Sequence, residues 1–190
     1  KSKKPIIIAT GASNKQEVIE VVNLVSKLND HIVLMQCNTN YTGSTDNFKF
    51  INLNVLKLFS KLFPDLILGL SDHTPGHTTV LGAVALGAKV IEKHFTDNND
   101  LEGPDHKFSM SPKDWKMMVQ RTRELELSLG DGSKKVENNE LETVIIQRRG
   151  IRANKLLNKG EIIKETDLSY LRPCNKDCLP PHKKKLILGK

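Results

Sequence analysis

Cysteine is scarce in this 190-residue chain: three residues, an odd number that cannot form a complete disulfide framework. A small secreted fold stapled by disulfides is therefore excluded, and a reducing, cytoplasmic setting is the expectation. Aromatic residues contribute only 5%, with a single Trp. No apolar run approaches the roughly 18–20 residues that a membrane-spanning helix needs. The opening Lys1-Ser-Lys-Lys-Pro-Ile-Ile-Ile-Ala is basic, but its apolar run is very short, so it reads as a strand and not as a signal peptide. Internal repeats and low-complexity segments are also lacking. What is present, 38% hydrophobic and 27% charged residues, is the composition of a globular domain with a small appendage.

The net charge of +7 is unevenly placed. Up to Val144 there are 17 Lys and Arg against 18 Asp and Glu; from Ile145 onward there are 12 against 4. Such a basic segment suits nucleic acid, a membrane surface or an anionic substrate, or is simply a solvated face. Tyr170 is its one aromatic residue, so it lacks the stacking side chains of a single-strand binder, and neither nucleic acid nor membrane is the expected partner.

The first 130 residues alternate between two patterns. Short Ile-, Val- and Leu-rich runs at Pro5–Ala9, His31–Cys37, Leu66–Leu70 and Lys89–Ile91 are continuously apolar, as in strands buried on both faces. Helical patterns lie between and after them. Ser13 and Gln16 suggest a capping box before Val18–Val25. Leu53, Leu56, Phe59 and Leu62-Phe63 form a stripe stopped by Pro64. Thr78–Leu86 ends at Gly87, and Ser111-Pro112 opens a helix running to Gly130. Four strand–helix units in succession predict an α/β fold with a parallel sheet, half of a (β/α)8 barrel, with two unpaired edges. Residues 131–144 read as a polar linker. Residues 145–190 read as a small, mostly β module, with short strands expected around Ile145-Ile146 and Ile151, Asn158–Ile163 and Asp167–Pro173.

The segment from Gly69 to Met110 carries the chemistry. His73 and His94 fall at the C-terminal ends of adjacent parallel strands, where such sheets place functional groups. Strands about 4.8 Å apart let two imidazoles converge on one divalent ion, and two ligands leave the open positions a catalytic metal requires. Asp72, Glu92 and Asp105 stand nearby as further ligands, orienting groups or a general base; ordinary polar residues at strand ends are the alternative. Gly103-Pro-Asp-His106 is a tight loop on the same side. Ser71, Thr10 and the Asn38–Asn40 run also sit at strand ends, where they can meet phosphate or carboxylate oxygens or cap helices. Cys37 reads as core. Cys174 and Cys178 lack the further pair a zinc site needs.

Four segments resemble the sialic acid synthase family: Lys4-Pro-Ile-Ile-Ile-Ala-Thr-Gly, Gly69-Leu-Ser-Asp-His-Thr-Pro-Gly, Ala83-Val-Ala-Leu-Gly-Ala-Lys-Val-Ile-Glu-Lys-His-Phe-Thr and Gly103-Pro-Asp-His-Lys. The tail, with Asn158-Lys-Gly-Glu and Leu171-Arg-Pro, is similar to that family's antifreeze-like (SAF) domain. The resemblance implies a metal-dependent transferase that condenses phosphoenolpyruvate with an N-acyl hexosamine, typically N-acetylmannosamine, to a nine-carbon 2-keto acid. It implies His73 and His94 as ligands of Mn2+ or Mg2+, and Ser71 on the phosphate. Glu92, Tyr41 and Asp105 would line the sugar and reaction centre. Arg172 would reach the neighbouring subunit's barrel in a domain-swapped homodimer. The family's serine before Thr-Gly is Ala9 here, and its Cys-Thr-Ser or Cys-Thr-Asn is Cys37-Asn-Thr-Asn, so Thr10 or Asn40 is the expected substitute on the phosphate. The chain reads as an internal piece: the first four strands of the barrel, with their phosphoenolpyruvate-binding lysines, and the last strands of the SAF module are not in it. The piece alone is expected to be inactive. A non-catalytic binding module and a different metal-dependent, aldolase-type barrel are the rival readings.

Overall fold

The Ile- and Val-rich runs pair in chain order. In the computed structural model, which describes residues 4–190, β1 (Ile6–Ala9), β2 (Ile32–Cys37), β3 (Ile67–Asp72) and β4 (Val90–Lys93) form one sheet of order β1-β2-β3-β4, every pair parallel. The first three residues of the basic start lie outside the described residues. The crossovers are α1 (Lys15–Ser26), α2 (Val55–Leu62) and α3 (Thr78–Ala85), and α4 (Pro112–Leu129) follows β4. A crossover helix covers a parallel sheet, which is why β2 is buried along its whole length.

Strand alternation divides the side chains. Leu34, Leu68 and Leu70 join Val18 and Val22 of α1, Leu56 and Phe59 of α2, Val80 and Ala83 of α3 and Met118 of α4 in one core. Leu34, Leu56 and Leu70 are fully buried, each worth roughly 1.5–3 kcal/mol. The alternate positions line the other face in register: Met35 beside Gly69, Cys37 beside Ser71, and Ser71 beside Glu92. Gly69 is needed there, because a Cβ would press on the Met35 side chain and the Val90 carbonyl.

The first helix starts one residue later than the sequence suggests. Asn14, not Ser13, is the N-cap: its side chain accepts from the Gln16 and Glu17 amides, and Glu17 returns a bond to the Asn14 amide. Ala12 at φ 54 turns the chain so that the Ser13 hydroxyl donates to the Gly11 carbonyl instead. α4 starts as its sequence predicts, with the Ser111 side chain accepting from the Asp114 amide and Pro112 in the first turn.

Contacts divide the chain into two units, Lys1–Asp131 and Gly132–Lys190. In the second unit only two strands form, β5 (Gly150–Ala153) and β6 (Leu168–Leu171), antiparallel. Ile145-Ile146, expected in a strand, lies in the helix α5 (Leu141–Gln147). Leu141, Val144 and Ile145 recur at helical spacing, and a 3-10 turn at Asn138–Glu140, capped by Glu137, starts the helix, so the second half of the linker is helical. Asn158–Ile163 is a turn around Gly160 at φ 90, and Ile163 exchanges backbone bonds with Gly189 and Lys190.

Candidate active site

β3 and β4 run in register to Asp72 beside Lys93, so His73 and His94 are the next residues on two neighbouring strands. Their ring centres are 5.1 Å apart. His73 is buried; its Nδ1 lies 2.8 Å from the Asn38 carbonyl. A carbonyl only accepts, so Nδ1 is the donor, and the neutral tautomer that fits this bond has its lone pair on Nε2. Asp105 approaches the corresponding atom of His94, with Oδ2 3.5 Å from Nδ1. Neither Nε2 is hydrogen-bonded to a described residue. A histidine whose Nδ1 faces an oxygen acceptor and whose Nε2 is open is the usual arrangement of a metal ligand.

A buried network holds these two strand ends together. Lys93 Nζ donates to Asp72 Oδ2 at 2.7 Å and to the Thr74 carbonyl at 2.6 Å, and the hydroxyls of Thr74 and Thr79 donate to the same carboxylate. Asp72, considered as a metal ligand from sequence, faces the helix side, fully engaged by these partners. It is withdrawn from the site because adjacent strand residues point to opposite faces. The ion pair grips the backbone on both sides of His73 and immediately before His94.

On the opposite face, the Ser71 hydroxyl donates to Glu92 Oε1 at 2.8 Å. Cys37 lies in the same row; burial pushes its thiol up, opposed by a hydrogen bond with Ser71, which is the state of a packed thiol and not an activated nucleophile. Tyr41 covers His73 at 4.2 Å between ring centres, and Phe108 stands 5.0 Å from His94. Phe108 has no signal in the sequence beyond its place after the Gly103–His106 loop; Gly43, at φ 63, is pressed against it so closely that a side chain there would clash.

Thr10, Asn38, Asn40 and Tyr41 line a cavity of about 850 Å³ at the C-terminal ends of β1 and β2, together with Ser13 and Lys15. The Thr10 hydroxyl proton is given to the Met35 carbonyl. Asn40 Oδ1 accepts from the amide and hydroxyl of Thr42, shaping the loop. After β4, the Thr96 hydroxyl donates to the Asn98 carbonyl, so the Nδ1 of His106 in the Gly103–His106 loop, 2.8 Å from it, is the donor to Thr96. Arg172 stands at the end of β6 in the second unit, exposed and without a hydrogen-bond or ion-pair partner among the described residues. No group of three or more His, Cys, Asp and Glu side chains is placed to hold a metal among the described residues.

A family model described as the NeuB family matches residues 1–134. The chain belongs to the NeuB family. It is 39% identical over 178 residues to an N,N'-diacetyllegionaminic acid synthase of Campylobacter jejuni, covering 92% of this chain and 52% of that protein. It is 41% identical over 176 residues to the Legionella pneumophila protein of the same name, covering 90% and 48%. The crystal structure of the Bacillus subtilis spore coat polysaccharide biosynthesis protein SpsE matches with a TM-score of 0.60 at 29% identity, covering 97% of this chain and 55% of that one. This NeuB-family chain thus spans about half the length of the curated relatives it matches. No helix among its described residues is long and apolar enough to cross a membrane.

Proposed function

We propose that this NeuB-family chain supplies the metal-binding half of a synthase that joins phosphoenolpyruvate to an N-acyl hexosamine. N-acetylmannosamine or a diacylated relative is the sugar, and a nine-carbon 2-keto sugar acid the product. The names of the Campylobacter and Legionella relatives support the diacylated branch. The observation that carries the reading is the convergence of His73 and His94, each with Nδ1 facing an oxygen and Nε2 open.

The residues fit Mn2+ or Mg2+ bound by the two Nε2 atoms. An ion held there supplies charge stabilisation to a substrate carbonyl oxygen. The chain's own groups do the rest. Asn38 fixes the His73 tautomer, and Asp105, half-exposed beside His94, is placed to hold or move a proton at Nδ1 and to meet sugar hydroxyls. Glu92 holds the Ser71 hydroxyl, so Ser71 reaches a phosphate only by releasing that bond. Tyr41 and Phe108 wall the site and exclude water on one side. Thr10 and Asn40 line the adjoining cavity on the phosphate side. Arg172, on a module of SAF type, binds the acylamino group from a partner subunit in a domain-exchanged homodimer; its planar fork suits that role.

Phosphate release from phosphoenolpyruvate tests the reading. With four further βα units completing the barrel, release should require both Mn2+ and the sugar, and His73→Ala should abolish it. Arg172→Ala should raise the KM for the sugar and leave that for phosphoenolpyruvate nearly unchanged. The 190-residue chain alone should release none. Release independent of His73 would refute the assignment.

A further inference from the structure

The second unit carries 14 Lys and Arg against 7 Asp and Glu. Four of its seven carboxylates are spent on lysines: Glu161 and Asp167 pair with Lys155, Glu165 with Lys184, and Glu137 with Lys135. Its arginines are not. Arg148 and Arg149 have no carboxylate partner among the described residues, and the one bond of Arg149 is a long 3.4 Å contact to the Tyr170 carbonyl. Both line a cleft of about 610 Å³ with Asn175, His182, Cys174 and Cys178, closed on its apolar side by Val144, Pro180 and Pro181. No Asp or Glu lines it; Asp177, the nearest acid in sequence, is not part of the wall. Burial and the neighbouring Cys178 push the Cys174 thiol up, against a weaker pull from Arg152 and Arg148, so that this wall sulfur adds no counter-charge to the arginines.

Two unpaired guanidinium groups in a cleft without a counter-charge are an anion site by composition. We infer that this cleft binds a phosphate dianion, free or as a monoester, through Arg148 and Arg149, with Asn175 and His182 as further polar contacts. Each guanidinium can offer two parallel N–H donors to one oxyanion, which gives phosphate an advantage over a spherical anion. The cleft is larger than a phosphate ion, and the proline and valine wall gives an organic remainder an apolar surface to rest on. The site lies wholly within the second unit, so it stands or falls independently of the metal reading.

The test is titration of the full chain with inorganic phosphate and, separately, with glycerol phosphate, against a constant chloride background, read by NMR. Saturable shifts should appear at the Arg148, Arg149 and His182 side chains. Saturating phosphate should also slow alkylation of Cys174 and Cys178 by iodoacetamide. Arg148→Gln with Arg149→Gln should weaken binding about tenfold or more, the loss expected of charge-assisted bonds, whereas Arg172→Gln should change it less than about twofold. Tighter binding of the ester than of phosphate identifies an organic phosphate as the ligand, and equal binding identifies free phosphate. Should the double variant fail to fold, His182→Gln, an exposed substitution, gives the same reading with a smaller loss. Absence of saturable binding below about 20 mM, wild-type affinity in both the double variant and His182→Gln, or an equal loss in Arg172→Gln overturns the proposal.

Discussion

The two units handle charge in opposite ways. The first balances 15 Lys and Arg against 15 Asp and Glu, and buries one ion pair completely, Lys93 with Asp72, to lock the two strand ends that carry the histidines. The second has an excess of seven positive charges, holds itself together with lysine–carboxylate pairs at its surface, and leaves Arg148, Arg149 and Arg172 exposed without a carboxylate partner among the described residues. A buried pair fixes geometry, because removing one partner strands a charge in the interior. An unpaired exposed cation fixes nothing and is available to a ligand. The same side-chain chemistry therefore positions a site in one unit and offers one in the other.

Breaking the buried pair should have the largest effect. Lys93→Met leaves the buried Asp72 carboxylate without its counter-charge, held only by the Thr74 amide and the Thr74 and Thr79 hydroxyls, and should destabilise the first unit by about 3–5 kcal/mol. Thermal unfolding measured by calorimetry should show that loss confined to one transition, with little dependence on salt. Next comes Gly150→Ala. A Cβ at Gly150 would overlap the Cys178 sulfur, which itself lies against Arg152, and the overpacking should cost the second unit about 1–3 kcal/mol. Adding Cys178→Ala should restore most of it, and failure of that rescue would mean the glycine serves something other than packing.

The smallest effect is on pH. Asp167 is held below its ordinary value by the Lys164 amide and then by Lys155; Glu161 by Lys155 and then the Asn158 amide; Glu165 by the Tyr170 hydroxyl and then Lys184. A lowered carboxyl stabilises the fold above its ordinary value, and that contribution disappears as pH falls through the lowered value. The second unit should therefore loosen as pH drops below about 4.5, the ordinary glutamate value, and further as the lowered values are crossed. The pairs of Glu161 and Glu165 are solvent-accessible and screened, so high salt should blunt their share, while that of the buried Asp167 should persist. A first unit that loosened over the same range by the same amount would erase the contrast.

Much of the first unit was legible because buried parallel strands write themselves as unbroken apolar runs. Observed strand starts and ends fall within two residues of the expected ones. The placing of His73 and His94 followed from that pattern alone. Three things were not legible. Asp72 was grouped with the histidines because it neighbours them in sequence, although strand alternation turns it toward α3. The Asn38 carbonyl that sets the His73 tautomer is a backbone group in a loop, which no residue type announces. Phe108 joins the site only through a loop path with no periodicity. In the second unit, the Val-Ile-Ile run has β propensity, but the Glu137–Glu140 cap and the spacing of Leu141, Val144 and Ile145 turn it helical.

The central claim is that His73 and His94 form one divalent-metal site, and direct Mn2+ titration of the chain followed by electron paramagnetic resonance tests it most closely. One saturable equivalent should bind. Either His73→Ala or His94→Ala should abolish that binding while the fold is kept, and Asp105→Asn should weaken it about tenfold or more. Mn2+ binding that survives both histidine substitutions, or no saturable binding to the wild-type chain, would contradict the account.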